Sequence, residues 1–232
     1  VIQPNVECYS GSKIGAETIA ELVEGVPEGA ECVVMPESAL CYVKGMDDYW
    51  DDVIDGSMDE SKVDLYAGNF SSLFGARDDL SMIVGHSTQV YYGDKAATYT
   101  ARCRDGEYYD VFNSALLITP DGKVHDIYHK GKLVIGVEAM PRFVSSFVDL
   151  GGVTGQLGWG REHDVFNVAD KKIGPAICYE ALYSDHFAGF VRKGAEAMVV
   201  ISNDGWWGDT PGYKRLYDFC KLRAIETRRS IA

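Results

Sequence analysis

Three side chains able to do nucleophilic or acid–base chemistry each stand just past an apolar run. Glu37 follows Cys32-Val33-Val34-Met35-Pro36, Lys130 follows Val124–His129, and Cys178 closes Ile173–Ile177. Short apolar runs of this kind read as buried strands, and in open α/β sheets ligands bind in the crevice beyond the strand ends. The three residues are therefore candidates for one site. Cys178 lies at a turn from strand to helix that exposes its sulfur near helix N–H groups, which favour the reactive thiolate. A carboxylate at Glu37 in a partly dry site takes the thiol proton and later returns it. Lys130 brings a fixed positive charge to a tetrahedral oxyanion, worth roughly 3 kcal/mol per donor. Each residue alone is ordinary: a core cysteine, a solvated carboxylate, a surface lysine. Their conjunction is what points to nucleophilic catalysis by cysteine.

The elements that must position them follow from hydrophobic spacing. Val1–Gln3 reads as a short strand ended by Pro4. Ile19, Leu22, Val23 and Val26 recur at helical spacing, and Pro27 and Gly29 stop that helix. Residues 46–60 are acidic and turn-rich, the wider stretch Asp47–Asp64 reading as a solvated face, and a helix is expected over about 60–76. Strands are expected at 82–85, 111–119 and 124–128, the last two joined through the turn Pro120-Asp121-Gly122, with a loop or hairpin tip at 92–107. A helix over 186–193 is capped by Gly194, a strand covers 197–201, and a long final helix carries Leu216, Cys220, Ala224 and Thr227 on one face. Strands alternate with helices and one hairpin interrupts them, which predicts an α/β to α+β fold with a mixed sheet in a single domain spanning 1–232.

Bulk properties narrow the function. The chain has 232 residues, 46% of them hydrophobic, enough for a substantial core. Its net charge of −13 argues against nucleic acid and against docking on anionic lipid by charge. No run of 18 apolar residues is present to span a bilayer. The six cysteines form no CxxC pair, so a zinc site is unsupported and buried free thiols are expected. Both ends stop abruptly, as in a fragment of a longer protein.

Four segments together resemble the nitrilase superfamily in order and spacing: Pro36-Glu37; Tyr128-His129-Lys130-Gly131-Lys132-Leu133-Val134 with Glu138 eight residues after the lysine; Ile177-Cys178-Tyr179-Glu180; and Ser202-Asn203-Asp204-Gly205-Trp206-Trp207-Gly208. More narrowly, with Ile2-Gln3-Pro4-Asn5 and Leu222-Arg223-Ala224-Ile225-Glu226, they resemble its apolipoprotein N-acyltransferase branch. The resemblance covers essentially the whole chain. It implies a nitrilase-like four-layer αββα sandwich, here ending before its C-terminal strands. It implies Glu37 as general base, Lys130 as oxyanion-stabilising residue and Cys178 as nucleophile, with Glu138 supporting them and Tyr179, Glu180 and Trp206 lining the substrate site. No cofactor or metal is implied. The implied partners are a phospholipid acyl donor and a diacylglyceryl lipoprotein acceptor, and the implied location is the bacterial inner membrane with this domain facing the periplasm. The segment 133–138 departs from the family's more usual Pro-Phe-Gly-Glu while keeping the spacing to Glu138.

Contact with the membrane is expected through segments outside this chain and through an apolar arm at 139–159, where Phe143, Phe147 and Leu150 share helical spacing. A soluble amidase of the same superfamily would use the same three residues, with water resolving the thioester. A non-catalytic binding domain would instead hold Glu37, Lys130 and Cys178 far apart. A Cys–His hydrolase would recruit one of His86, His125, His129, His163 or His186, none of which has a distinctive local setting.

Overall fold

The computed structural model describes residues 1–4, 13–44, 46, 70–140 and 156–232. Along the chain these form α1 (Ala16–Glu24), β1 (Cys32–Val34), β2 (Ser81–Gly93), β3 (Arg102–Arg104), β4 (Glu107–Ile118), β5 (Val124–His129), β6 (Phe166–Val168), β7 (Lys171–Ile177), α2 (Ser184–Arg192), β8 (Ala197–Ile201), α3 (Gly212–Thr227) and β9 (Ser230–Ile231). Single 3-10 turns at Ala39–Tyr42, Cys178–Leu182 and Asp204–Trp207 each follow a strand end. The acidic stretch 47–64, the first part of the helix expected at 60–76, Cys8, and Phe143, Phe147 and Leu150 of the expected arm lie outside the described residues.

Among the described residues the strands make two sheets. In one, β1 runs parallel to β2, β2 pairs antiparallel with β4, and β4 pairs along its other edge first with β3 and then with β5. In the other the order is β6-β7-β8-β9, with β7, β8 and β9 parallel. The period of two in a strand explains the layering. Met82 and Val84 of β2, with Leu116 and Ile118 of β4, face α1 and its Ile19 and Val23. The alternate residues Ile83, Ala115 and Leu117 face the second sheet and pack with Tyr128, Phe166, Ala176 and Ile177. Phe187 and Phe190 of α2 and Leu216 of α3 complete that second core. Each buried Leu, Ile or Phe contributes about 1.5–3 kcal/mol, so the double-faced strands carry the assembly. This is an αββα sandwich.

Several boundaries differ from those expected. Residues 1–4 form no strand; Ile2 is buried and donates one backbone hydrogen bond to Val34 at 2.9 Å. β2 and β4 extend well beyond 82–85 and 111–119, and the loop or hairpin tip expected at 92–107 is a hairpin whose first strand is β3, returned to β4 through Asp105-Gly106 with both φ angles positive. That dipeptide is a strong hairpin signal in any sequence. In α1 the spacing holds, but Leu22 stays 40% exposed while Ile19 and Val23 are buried.

Candidate active site

Glu37, Lys130 and Cys178 converge where the strands expected to carry them end. Glu37 leaves β1 into a turn whose next residue, Ser38, has φ +56. That turn lies directly on β2: a Cβ on Gly85 would collide with the backbone of Glu37 and Ser38, and the Gly85 N–H donates to Pro36 O at 3.1 Å. Only glycine permits this approach. Lys130 follows β5 and is 1% exposed, its backbone N–H donating to Asn113 O of β4 at 2.8 Å. Cys178 follows β7 with φ +48, a left-handed conformation costing a non-glycine residue roughly 1–2 kcal/mol. The sharp turn brings its side chain beside Glu37 and Ser202.

The charged groups are tightly interlocked. Lys130 Nζ lies 3.0 Å from Glu37 Oε1 and 2.9 Å from Glu138 Oε1. Asn113 Nδ2 donates to those same two oxygens at 2.7 and 2.8 Å. Val134 N–H reaches Glu138 Oε2 at 2.8 Å, and Asn203 N–H reaches Glu37 Oε2 at 3.2 Å. Burial opposes the charged form of Lys130, but Glu37, Glu138 and Cys178 outweigh it and hold the ammonium above its ordinary range. Burial pushes the Cys178 thiol up to about 12, with the Glu37 charge adding and Lys130 opposing. The resting sulfur is therefore a thiol, not the thiolate expected from a helix N-terminus. The five-residue 3-10 turn that follows does not offset the loss of water around the sulfur.

Glu180 stands behind this site. It is fully buried, and its Oε1 accepts from Tyr128 OH at 2.7 Å, Gly131 N at 2.6 Å and Lys132 N at 3.1 Å. His186 Nε2 lies 3.0 Å from the same oxygen, and Ile177 N–H donates to Oε2 at 2.8 Å. Burial raises its pKa, yet the bonds from His186, Tyr128 and Ile177 prevail and keep it below its usual value. One carboxylate thus ties the loop after Lys130 to the residue before Cys178. Its lone pairs are turned to the protein. Tyr179 is half-buried, its ring edge-on to Tyr183 at 5.4 Å, and Trp206 is 52% exposed on the turn after Asn203.

The histidines have other partners. His129 Nδ1 is 2.9 Å from Ser114 Oγ, His86 Nδ1 is 3.5 Å from Cys41 Sγ, and His163 Nε2 is 3.0 Å from His186 Nδ1. Burial lowers His86 and His129 to about 4, leaving both neutral near pH 7. Sequence reasoning missed Asn113, and it named Ser202 and Asn203 within a motif without giving either a role. Asn113 sits inside a strand, and its only sequence signal is a polar residue interrupting the apolar run Val111–Ile118. The five described cysteines are free thiols. Among the described residues, no helix is long and apolar enough to cross a membrane, and no cluster of three or more His, Cys, Asp or Glu could hold a metal.

A carbon-nitrogen hydrolase family model matches residues 2–229. Apolipoprotein N-acyltransferase of Chlorobaculum tepidum is 30% identical over 162 residues, covering 65% of this chain and 30% of that protein. The enzyme of the same name from Thermotoga maritima is 30% identical over 119 residues, 50% of this chain and 24% of that protein. The match therefore spans less than a third of either relative. Among solved structures, a carbon-nitrogen hydrolase from Helicobacter pylori G27 superposes with a TM-score of 0.55 at 15% identity, covering 93% of this chain and 64% of that one. Nit3 of Saccharomyces cerevisiae, a nitrilase-superfamily member, gives 0.55 at 17% identity over 93% of this chain and 65% of its own.

Proposed function

The chain belongs to the carbon-nitrogen hydrolase family, within the nitrilase superfamily, and from that premise we propose that it transfers a fatty acyl chain from a phospholipid to the terminal amine of a diacylglyceryl lipoprotein. The catalytic residues of this reading are Glu37, Lys130 and Cys178. The observation that carries it is the contact of the Cys178 thiol with Glu37 beside the Lys130 ammonium in a largely dry pocket. N-acyl transfer to an apolipoprotein rests on the names of the relatives, while the phospholipid donor and a membrane location for the whole protein rest on the resemblance of the sequence motifs to that branch.

A thiol with a pKa near 12 does not ionise spontaneously at neutral pH, so a base must remove its proton as the sulfur attacks. Glu37 Oε1 already accepts from Lys130 and Asn113, whereas Oε2 has only the longer bond from Asn203. Oε2 is therefore the oxygen that takes the thiol proton. Sulfur attacks the ester carbonyl and forms a tetrahedral oxyanion. Lys130 has two of its three N–H bonds committed to Glu37 and Glu138, leaving the third to stabilise that charge. Collapse breaks the C–O bond, and the leaving alkoxide takes the proton from Glu37, yielding lysophospholipid and a Cys178 thioester. In the second half, the acceptor amine attacks the thioester and gives a proton to Glu37. Expulsion of the sulfur forms the amide, and Glu37 returns the proton to the thiolate.

The test uses the intact protein with phospholipid and a diacylglyceryl peptide. Mass spectrometry should find the acyl group on Cys178, absent in Cys178→Ala, and the peptide should remove it as an amide. Release of free fatty acid with no amide would reassign the site to hydrolysis, the amidase chemistry of the same family.

A further inference from the structure

We propose that two loops leaving the site form a docking surface for a lipid bilayer, through the exposed apolar side chains of Ile135, Val137, Trp206 and Trp207. The inference rests on the reading of a phospholipid as acyl donor and deepens it by naming the face that meets the lipid. Large apolar side chains scattered over a surface are ordinary, but a group of them beside a site marks a surface used for binding.

The first loop covers residues 133–138 and ends on Glu138, whose Oε1 lies 2.9 Å from Lys130 Nζ. It is tightly bonded. Val134 O accepts from the N–H groups of Val137, Glu138 and Ala139 at 3.2, 2.9 and 3.2 Å, Gly136 N–H donates to Ala139 O at 2.7 Å, and Val134 N–H donates to Glu138 Oε2 at 2.8 Å. Gly136 has φ +88, and the residues on either side of it, Ile135 and Val137, are 67% and 58% exposed. A loop pinned this way cannot fold two β-branched side chains back onto the core. The second loop is the 3-10 turn Asp204–Trp207, which follows Asn203 and its bond to Glu37 Oε2. Trp206 and Trp207 are 52% and 45% exposed, and the Trp207 ring is braced on Gly212 of α3, where a Cβ would collide with it. Glu37 and Glu138 share the Lys130 ammonium at 3.0 and 2.9 Å, so both loops are rooted at one point of the site.

Charge selects the occupant. Residues 133–137 and 205–208 carry no charge, in a chain with 25% charged residues and a net charge of −13. A second copy of the chain would bring the same negative charge to the contact, and an anionic surface would repel it. Uncharged tips enter hydrocarbon without stripping water from an ion. Indoles settle at the boundary between headgroups and acyl chains, and aliphatic side chains go just below it. Shallow insertion of this kind brings the site to the level of the phospholipid ester.

The test uses the intact protein with phosphatidylcholine vesicles whose acyl chains carry bromine, a short-range quencher of indole emission. Tryptophan emission of the wild type should fall on mixing, equally at low and high salt, and about half or more of that fall should vanish in the double variant Trp206→Phe, Trp207→Phe. In the double variant Ile135→Asn, Val137→Asn, acylation of Cys178 by vesicle phospholipid, followed by mass spectrometry, should slow by about tenfold or more. Its acylation by the water-soluble ester p-nitrophenyl acetate should match wild type. Ile225→Asn serves as control: Ile225 is 74% exposed, but it lies about 20 Å along α3 from Gly212, toward the end that leads into β9 and the start of β8. That variant should behave as wild type. Absent quenching, quenching abolished by salt, an equal slowing with both esters, or an equal effect of Ile225→Asn would overturn the docking surface. A dimer in sedimentation that the Ile135, Val137 variant dissolves, with no quenching by lipid, would overturn it in favour of a second copy. Quenching as expected, with no lipid-derived acyl group on Cys178, would instead overturn the reading of the donor and leave the docking surface standing. If the Ile135, Val137 variant fails to fold, the quenching comparison decides.

Discussion

Replacing Glu180 by glutamine preserves shape and removes one acceptor and one charge. The five surrounding donors leave no orientation of the amide in which all are satisfied. If nitrogen takes the place of Oε1, it meets the N–H groups of Gly131 and Lys132 as well as Tyr128 and His186. If it takes the place of Oε2, only Ile177 N–H loses its acceptor, and this arrangement should be adopted. The unpaired buried donor costs about 1–3 kcal/mol, and the remaining bonds weaken as they lose their ionised partner. The total is on the order of 3–5 kcal/mol, similar to breaking a buried ion pair. In a chain of this size each kcal/mol moves the melting temperature by about 2–4 °C, so Glu180→Gln should lower Tm by roughly 10 °C in scanning calorimetry. Acid sensitivity gives a second check. The folded chain holds Glu180 below its usual pKa, so its contribution is complete above the ordinary carboxylate range and disappears as pH falls below that range. The glutamine variant should lose that part of the acid dependence. A Tm within 2 °C of wild type, with an unchanged acid limb, would show that the buried cluster does not hold the two loops together.

Lys130→Met should leave Glu37 and Glu138 buried without their shared cation, destabilising the fold by about 3–5 kcal/mol at neutral pH. Denaturant titration of the variant beside wild type at neutral pH would measure that loss. Gly85→Ala should push the backbone of Glu37 and Ser38 out of place, with at least a tenfold fall in kcat/KM and about 1–3 kcal/mol of stability lost. Gly93→Ala, on the same strand with open space around it but φ +75, should cost only about 1 kcal/mol and leave kcat/KM unchanged. Tyr128→Phe should remove one bond to Glu180 and lower stability by about 1–2 kcal/mol, measured as the shift of the urea midpoint.

The sequence was most informative where one physical rule acted alone. The apolar runs before Glu37 and Cys178 form β1 and β7 because only sheet burial on both faces accommodates them. The far ends of β2 and β4 were illegible because Thr88, Gln89, Asp110 and Asn113 place buried polar groups in what became the middle of long strands. Thr88 is paired with Ser114 at 2.7 Å, Gln89 with Tyr91 at 3.1 Å and Asp110 Oδ2 with Tyr92 at 2.9 Å, and such pairings are fixed only by tertiary register. The acidity of the Cys178 thiol was misjudged for a related reason. A turn after a strand suggested helix N–H groups, while the packing that surrounds the sulfur could not be counted from one sequence. Asn113 escaped notice because the partners of its side chain are Glu37 and Glu138, which stand 76 and 25 positions away.

The contrast between Glu37 and Glu180 shows how one residue type is given opposite work. Both are buried, 6% and 0% exposed, and both accept several hydrogen bonds. Glu180 faces donors on each oxygen, four of them grouped on Oε1, so a proton arriving there would have to displace a bond that holds the backbone. It is therefore an anion in permanent use, and chemistry done on it would loosen the loops after Lys130 and before Cys178. Glu37 concentrates its two strong donors on Oε1 and leaves Oε2 with one 3.2 Å bond. A proton can come and go on that oxygen while the Lys130–Asn113 clasp keeps the carboxylate in place. Separating the anchored atom from the reacting atom within one side chain lets the proposed base take up and release a proton twice in each turnover without the pocket relaxing around it.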